Sequence, residues 1–281
     1  MHEQVTMTAP NNDRRDIAPG PTRGHLRLIW DVIFGALRLI GKHVRNAYAV
    51  FGIFLLSGAA IAILLTWAFS EVAERVRAGS TQGFDESVLR WMGAHQSPGI
   101  QAAMVEITSL GTSVVVAMIV FIAGLFLWLN HHKHSAILLI AATLGGMVLD
   151  GLLKIGFNRP RPQIFTWGTH AAMASFPSGH AMSSTIVYGT VAYLAARLQQ
   201  NVASRILTMA MAALIIVLIC GSRLYLGVHY PSDVLAGVII GLAWAGFCMA
   251  VLEAAQIYAK RNAPQMLKDE RPAPKGAAPS S

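Results

Sequence analysis

Six apolar runs set the rhythm of the chain, near residues 47–69, 112–130, 135–153, 179–197, 204–221 and 233–254. Each has about the 20 residues that a helix needs to cross the hydrocarbon core of a bilayer. The pattern therefore predicts an all-α, polytopic membrane protein with six transmembrane helices. The segment from 70 to 111 breaks the rhythm. It mixes Glu71, Glu74, Arg75, Arg77, Asp85, Glu86 and Glu106 with apolar positions, which predicts one or two short interfacial helices. Upstream, residues 25–46 place Arg27, Asp31, Arg38, Lys42 and Arg45 in a narrow arc at helical spacing. Leu26, Ile29, Ile33, Leu37 and Ile40 lie opposite, with Phe34 near the polar arc. This reads as an amphipathic interfacial helix, the alternative being a solvated helix packed on its own domain. Residues 1–24 are polar and rich in Pro, Asn, Asp and Arg, without the apolar stretch of a signal peptide. With the Pro/Ala/Lys-rich tail from 258 to 281, they are expected to be disordered. Residues 47–257 remain as one membrane domain.

Composition agrees with the pattern and narrows the function. The 281 residues are 54% hydrophobic and only 13% charged, with a mean hydropathy of +0.50. A soluble domain carries about a quarter charged residues, so a soluble enzyme is excluded. The net charge of +8 could suit nucleic acid, but there is no nucleic-acid motif and no interleaving of basic and aromatic residues. Topology explains the charge better. With six crossings both termini share a side, and that side holds 15 of the 22 lysines and arginines. The positive-inside rule makes it the cytoplasm, for a protein of a bacterial-type inner membrane. Lys154, Arg159, Arg161 and Arg223 then stand on the outer side, where no topological signal accounts for them. Cys220 and Cys248 lie in apolar runs and read as small hydrophobes, with neither metal-ligand spacing nor a disulfide framework.

Three stretches meet at that outer face: Lys154 to Pro162, "ASFPSGHAM" from Ala174 to Met182, and "SRLYLGVHYPSD" from Ser222 to Asp233. Cations near hydrocarbon need a partner, and an anion supplies one. Ser178 precedes an apolar run as a helix N-cap does, and Gly179 lets a ligand approach the backbone. The first N–H groups of that helix, added to Lys154, Arg161 and Arg223, make a phosphate site. Pro231 suits a first helical turn, which puts Asp233 within reach of His229. The carboxylate can fix one imidazole nitrogen and leave the other free to attack. His180 adds a second imidazole for proton transfer. Taken singly, each residue is what many interfacial helices carry. The specificity lies in their order and common side.

Around these sit weaker candidates. Asp150, four residues before Lys154, reads as its ion-pair partner behind the site. For Arg159, a second phosphate and the lipid surface are both open. The histidines of "NHHKH" (Asn130 to His134) read as interfacial anchors, with metal binding the alternative; Trp167 and His170 read as interfacial packing in the active-face loop, and Glu253 as a solvated acid on the cytoplasmic side.

The sequence resembles the type 2 phosphatidic acid phosphatases, membrane relatives of the vanadium haloperoxidases and bacterial acid phosphatases. The resemblance rests on three motifs. Lys154 is followed after six residues by Arg161-Pro162. Pro177-Ser178-Gly179-His180 is intact. Ser222-Arg223 is followed by His229 and Asp233 at the family's spacing. It covers roughly residues 47–254 and leaves out the amphipathic N-terminal helix and the tails. It implies that His229 is a nucleophile forming a phosphohistidine, that Asp233 orients it, and that His180 protonates the leaving oxygen and then activates water. It also implies that Lys154, Arg161, Ser178, Gly179 and Arg223 bind phosphate, with no metal and no cofactor.

The expected function is a lipid phosphatase acting on a phosphate monoester or diphosphate. Phosphatidic acid, phosphatidylglycerophosphate, undecaprenyl diphosphate and lipid A are the candidate substrates, and the motifs do not choose among them. No obligate protein partner is inferred. A phosphotransferase would use the same phosphohistidine with an acceptor lipid in place of water. Haloperoxidase chemistry would share the anion site but fits poorly with six spans. A non-catalytic transporter or lipid-binding protein is the alternative from another class. It would call for interrupted helices near the midplane rather than polar residues gathered at one face.

Overall fold

The computed structural model describes residues 47–163 and 174–269, with side chains described between 56 and 256. The expected amphipathic helix at 25–46, Trp167, His170 and the end of the C-terminal tail lie outside the described residues. Within them the chain is helical throughout, with no strand. The order is α1 (Ala47–Arg77), α2 (Gln82–Ala94), α3 (Pro98–Ser109), α4 (Ser113–Leu129), α5 (Lys133–Phe157), α6 (Gly179–Leu198), α7 (Val202–Tyr225) and α8 (Pro231–Asp269).

Every apolar run lies within a helix, but apolar length alone accounts for fewer crossings than six. Among the described residues, four stretches are long and apolar enough to cross a membrane: Leu56–Arg77, Lys133–Phe157, Val202–Tyr225 and Pro231–Gln256. The pair α3 and α4, bent by 47°, makes a fifth if it is one span. α6 does not qualify, and its packing says why. It lies chiefly against α7 and α8, with α5 behind it. Its Ser184, Thr185 and Thr190 are buried beside Met182, Ile186 and Leu194. A helix enclosed by others gains from small side chains that admit a close neighbour, whereas a lipid-facing helix gains from large apolar ones. Phe121 of α4, Ile155 of α5 and Ile206 of α7 supply that outer apolar surface.

Two boundaries move. α1 continues past the apolar run through Arg77, supported by an exposed Arg75–Glu71 pair at 2.8 Å one turn apart. α8 runs on to Asp269, where a disordered tail was expected from 258. The Ala, Lys, Arg, Gln, Met and Leu of that stretch are strong helix formers, and most of the prolines that suggested disorder, Pro272, Pro274 and Pro279, come after it in the sequence. The segment 70–111 holds two short helices, α2 and α3. Glu253 is not simply solvated: Arg197 lies 3.0 Å from it and the Tyr193 hydroxyl donates to it, which ties α6 to α8.

Beneath the polar end of the bundle, Phe69 of α1, Phe157 of α5 and Phe176 pack ring against ring, with centroids 4.7–6.2 Å apart. Phe176 is fully buried and precedes a cis bond to Pro177. This cluster anchors the loop that delivers Ser178.

Candidate active site

Helix ends bring the three motif stretches together. Lys154 lies in the last turn of α5, Arg223 in the last turn of α7, and Asp233 in the first turn of α8. Gly179 opens α6, and the backbone N–H of Ser178 donates to the carbonyl of Asp233 at 3.0 Å. Four successive helices, α5 to α8, thus bring one end each to the same pole.

Ser178 occupies the N-cap position of α6, yet its hydroxyl caps nothing. It is buried without a hydrogen-bond partner among the described residues, as is the Nε of Arg223. Arg223 is steadied at its other end, where Nη1 donates to the Thr108 hydroxyl of α3 at 2.8 Å. Buried donors are almost always satisfied, so each of these two fits the approach of an acceptor. Lys154 donates to Asp150 at 2.6 Å, the ion pair that their four-residue spacing suggests. A Cβ at residue 179 would come within 2.7 Å of the Lys154 Nζ. Glycine there lets the ammonium sit against the start of α6, where the helix N-terminus already favours an anion.

His229 is 2% exposed. Its Nε2 lies 3.3 Å from Nη1 of Arg161, which also donates to the Val228 carbonyl at 3.0 Å. A guanidinium only donates, so this contact suits an unprotonated Nε2. The opposite nitrogen, Nδ1, lies 3.6 Å from Oδ2 of Asp233 and 3.4 Å from the Ser175 hydroxyl, which itself donates to Oδ2. The Tyr230 N–H donates to the same oxygen at 2.9 Å. Burial pushes the imidazole pKa down to about 4, against the hydrogen bond and charge of Asp233, and Arg223 and Arg161 lower it further. The ring is neutral at physiological pH, the state a nucleophile requires. His180, at the start of α6, stands within electrostatic reach of Arg223, His229, Lys154 and Arg161.

Arg159 takes neither of the places left open for it. It turns inward, donating to Asp233 at 2.6 Å and to Asp85 at 2.9 Å. Asp85, Ser175 and Thr108 were not singled out in the sequence. Asp85 and Thr108 lie in helices remote from the motifs, and Ser175 is an ordinary small residue upstream of Pro177. Among the described residues no three His, Cys, Asp or Glu side chains are grouped to hold a metal ion.

Comparison with known proteins agrees with this geometry. The profile of the PAP2 superfamily matches residues 135–257, which include all three motifs. Phosphatidylglycerophosphatase B of Bacillus subtilis is 30% identical over 175 residues, covering 62% of this chain and 86% of that protein. Undecaprenyl-diphosphatase BcrC of the same organism is 28% identical over 155 residues, covering 53% of this chain and 73% of its own. The crystal structure of a transmembrane PAP2-type phosphatidylglycerolphosphate phosphatase from Bacillus subtilis superposes with a TM-score of 0.65 at 27% identity. It covers 68% of this chain and 96% of that one. With the motifs, the helical bundle and these relatives in agreement, the chain belongs to the PAP2 superfamily and is a membrane lipid phosphatase.

Proposed function

We propose that the chain hydrolyses a lipid phosphate monoester or diphosphate at the outer face of a bacterial-type cytoplasmic membrane, with His229 as nucleophile. One observation carries the reading. The buried imidazole of His229 has Arg161 at its Nε2 edge and Arg223 within electrostatic reach, and the Arg223 Nε and the Ser178 hydroxyl are buried without a partner among the described residues.

Nε2 of His229 attacks phosphorus, the bond to the leaving oxygen breaks, and His180 delivers a proton to that oxygen. The charge gathering on the phosphoryl oxygens is met by Lys154, Arg161, Arg223 and the start of α6, which are fixed before the reaction begins. In the second step His180 takes a proton from water, the water oxygen bonds to phosphorus and the P–N bond breaks. Inorganic phosphate leaves and His229 is regenerated. Asp233 holds the Nδ1 side throughout. Six crossings put both termini in the cytoplasm and this pole outside. α6 serves as the enclosed crossing despite its modest hydropathy, and α4 as another.

The relatives' names direct the test. Purified protein is offered phosphatidylglycerophosphate, undecaprenyl diphosphate, phosphatidic acid and lipid A in mixed micelles, and released phosphate is measured. Hydrolysis of at least one without an acceptor lipid is the expected result. Activity survives EDTA, and vanadate, which mimics five-coordinate phosphorus, inhibits. Activity lost on chelation and restored by Mg²⁺ contradicts the mechanism.

A further inference from the structure

Asp85 of α2 is fully buried, yet it lies outside the stretch that matches the superfamily profile. Its Oδ1 accepts the backbone N–H of Ser232 at 3.0 Å, and its Oδ2 accepts the Ser232 hydroxyl and Nη2 of Arg159 at 2.9 Å. Ser232 is the second residue of α8, where backbone N–H groups have no partner within the helix and the dipole favours an anion. Asp85 therefore caps α8 from a distant segment. Arg159 closes the other side. Its Nη1 donates to Oδ1 of Asp233 at 2.6 Å and to the Ser232 hydroxyl at 2.8 Å, while its guanidinium lies 4.2 Å from the centre of the Tyr230 ring. With Oδ1 of Asp233 held this way, Oδ2 is left to the Tyr230 N–H, Ser175 and His229. The far end of the same loop is tied as well. Gln96 donates to the Tyr225 carbonyl at 3.1 Å, and the Ser97 N–H donates to the Tyr225 hydroxyl at 3.0 Å. The stretch Tyr225–Ser232, which carries His229, is thus held at both ends by the segment between α1 and α4.

We propose that Asp85 and Arg159 are positioning residues for phosphoryl transfer, fixing the Asp233 carboxylate and the first turn of α8 so that His229 meets the substrate in line. The proposal rests on His229 being the nucleophile. Arg159 is shared by two buried carboxylates, and its planar fork reaches both at once, which a lysine does not reproduce.

The test uses full-length protein purified in detergent, with phosphate release measured against lipid phosphate concentration and pH. Asp85→Asn keeps the size of the side chain, and Arg159→Lys keeps the charge. Each lowers kcat by about 10- to 100-fold while KM stays within about threefold, the pattern of a misplaced reacting group. The acidic limb of kcat/KM supplies a reading that loss of fold does not give. His229 faces Asp233 from α8, Arg223 from α7, Arg161 from the loop after α5 and His180 from α6. Arg159→Gln strips the cation from Asp233, so the imidazolium is favoured and the limb moves to higher pH. Asp85→Asn leaves Arg159 to Asp233 alone, and the limb moves the other way. Wild-type kcat in both variants, a raised KM at unchanged kcat, or limbs that do not part overturns the proposal. So does failure of both Asp85→Asn and Arg159→Lys to fold, which would make the pair a folding element only. Absence of phosphate release from the wild type on every lipid phosphate removes the functional reading itself, a result distinct from any of these.

Discussion

The two histidines are separated by their surroundings. His229 has its Nδ1 turned to Asp233 and Ser175 and its Nε2 to Arg161, while His180 opens α6 with cations around it. In the proposed mechanism His229→Ala removes the atom that carries the phosphoryl group, so no substrate restores labelling. His180→Ala loses proton delivery, which an aryl phosphate with an acidic leaving group does not need. That variant is therefore still phosphorylated by such a substrate, and slow attack by water lets the labelled phosphoenzyme accumulate. Rapid quench with radiolabelled substrate measures this, and label trapped by His229→Ala but not by His180→Ala would reverse the roles. Asp233→Asn lowers the labelling rate by roughly a thousandfold or more, by analogy with a triad whose imidazole adopts the wrong tautomer. The pH behaviour follows from burial. The folded pKa of His229, about 4, lies below the ordinary histidine value of about 6.5. The neutral ring's contribution to stability is therefore complete above about 6.5 and is lost as pH falls towards 4. In substrate-free protein with ¹⁵N-labelled histidine, His229 keeps the NMR signature of a neutral ring at about pH 6, and an imidazolium signature there contradicts the assignment.

The helices decide whether these residues meet. α8 approaches α6 so closely that a Cβ at Gly237 would lie 2.7 Å from the Ser178 carbonyl oxygen and 3.3 Å from the Met182 nitrogen. One turn on, a Cβ at Gly241 would lie 3.0 Å from the Met182 carbonyl oxygen. These contacts are with backbone, which cannot swing aside as the Lys154 side chain can at Gly179. Gly237→Val forces α6 and α8 apart, costs at least the ~1–3 kcal/mol of an overpacked core, and separates Ser178 from Asp233. Thermal unfolding in detergent and phosphate release fall together in that variant. Gly179→Ala instead unfolds near the wild-type temperature and raises KM by displacing the ammonium. What was legible in the sequence divides along the same line. Lys154, Gly179, Arg223 and Asp233 could be grouped because each sits at a helix end, and alternating crossings bring those ends to one face. Asp150 could be paired with Lys154 because both lie on one helix face. Asp85 could not, because its partner Ser232 is 147 residues away and nothing local marks an acid in an amphipathic helix as buried. The crossing proposed for α6 was legible only as a run of moderate hydropathy, because a helix walled in by neighbours no longer carries the signature of lipid contact.

For the whole molecule, the distribution of charge and the distribution of chemistry make one argument. The site gathers where α5 and α7 end and α6 and α8 begin, while Arg197 in the last turn of α6 pairs with Glu253 about six turns along α8. With the six crossings proposed above, 15 of the 22 lysines and arginines fall on the side of the termini. Most of those on the other side have structural or chemical work there. Arg75 pairs with Glu71, Arg90 with Glu86, Arg159 with Asp85 and Asp233, and Lys154 with Asp150. Arg223 is held by Thr108 beside the site. With those six crossings, the bias places both termini in the cytoplasm. A C-terminal fusion to a reporter that matures only in the periplasm is therefore expected to stay silent, and a fusion to a reporter active in the cytoplasm to be bright. The complementary measurement labels single cysteines in intact cells of a host with a permeabilised outer membrane, after Cys220 and Cys248 are replaced by alanine. A cysteine at the exposed Phe84 of α2 reacts with a membrane-impermeant maleimide, whereas one at Lys133, at the start of α5, reacts only after the inner membrane is opened. Labelling in the reverse order would move the phosphatase site to the cytoplasmic face.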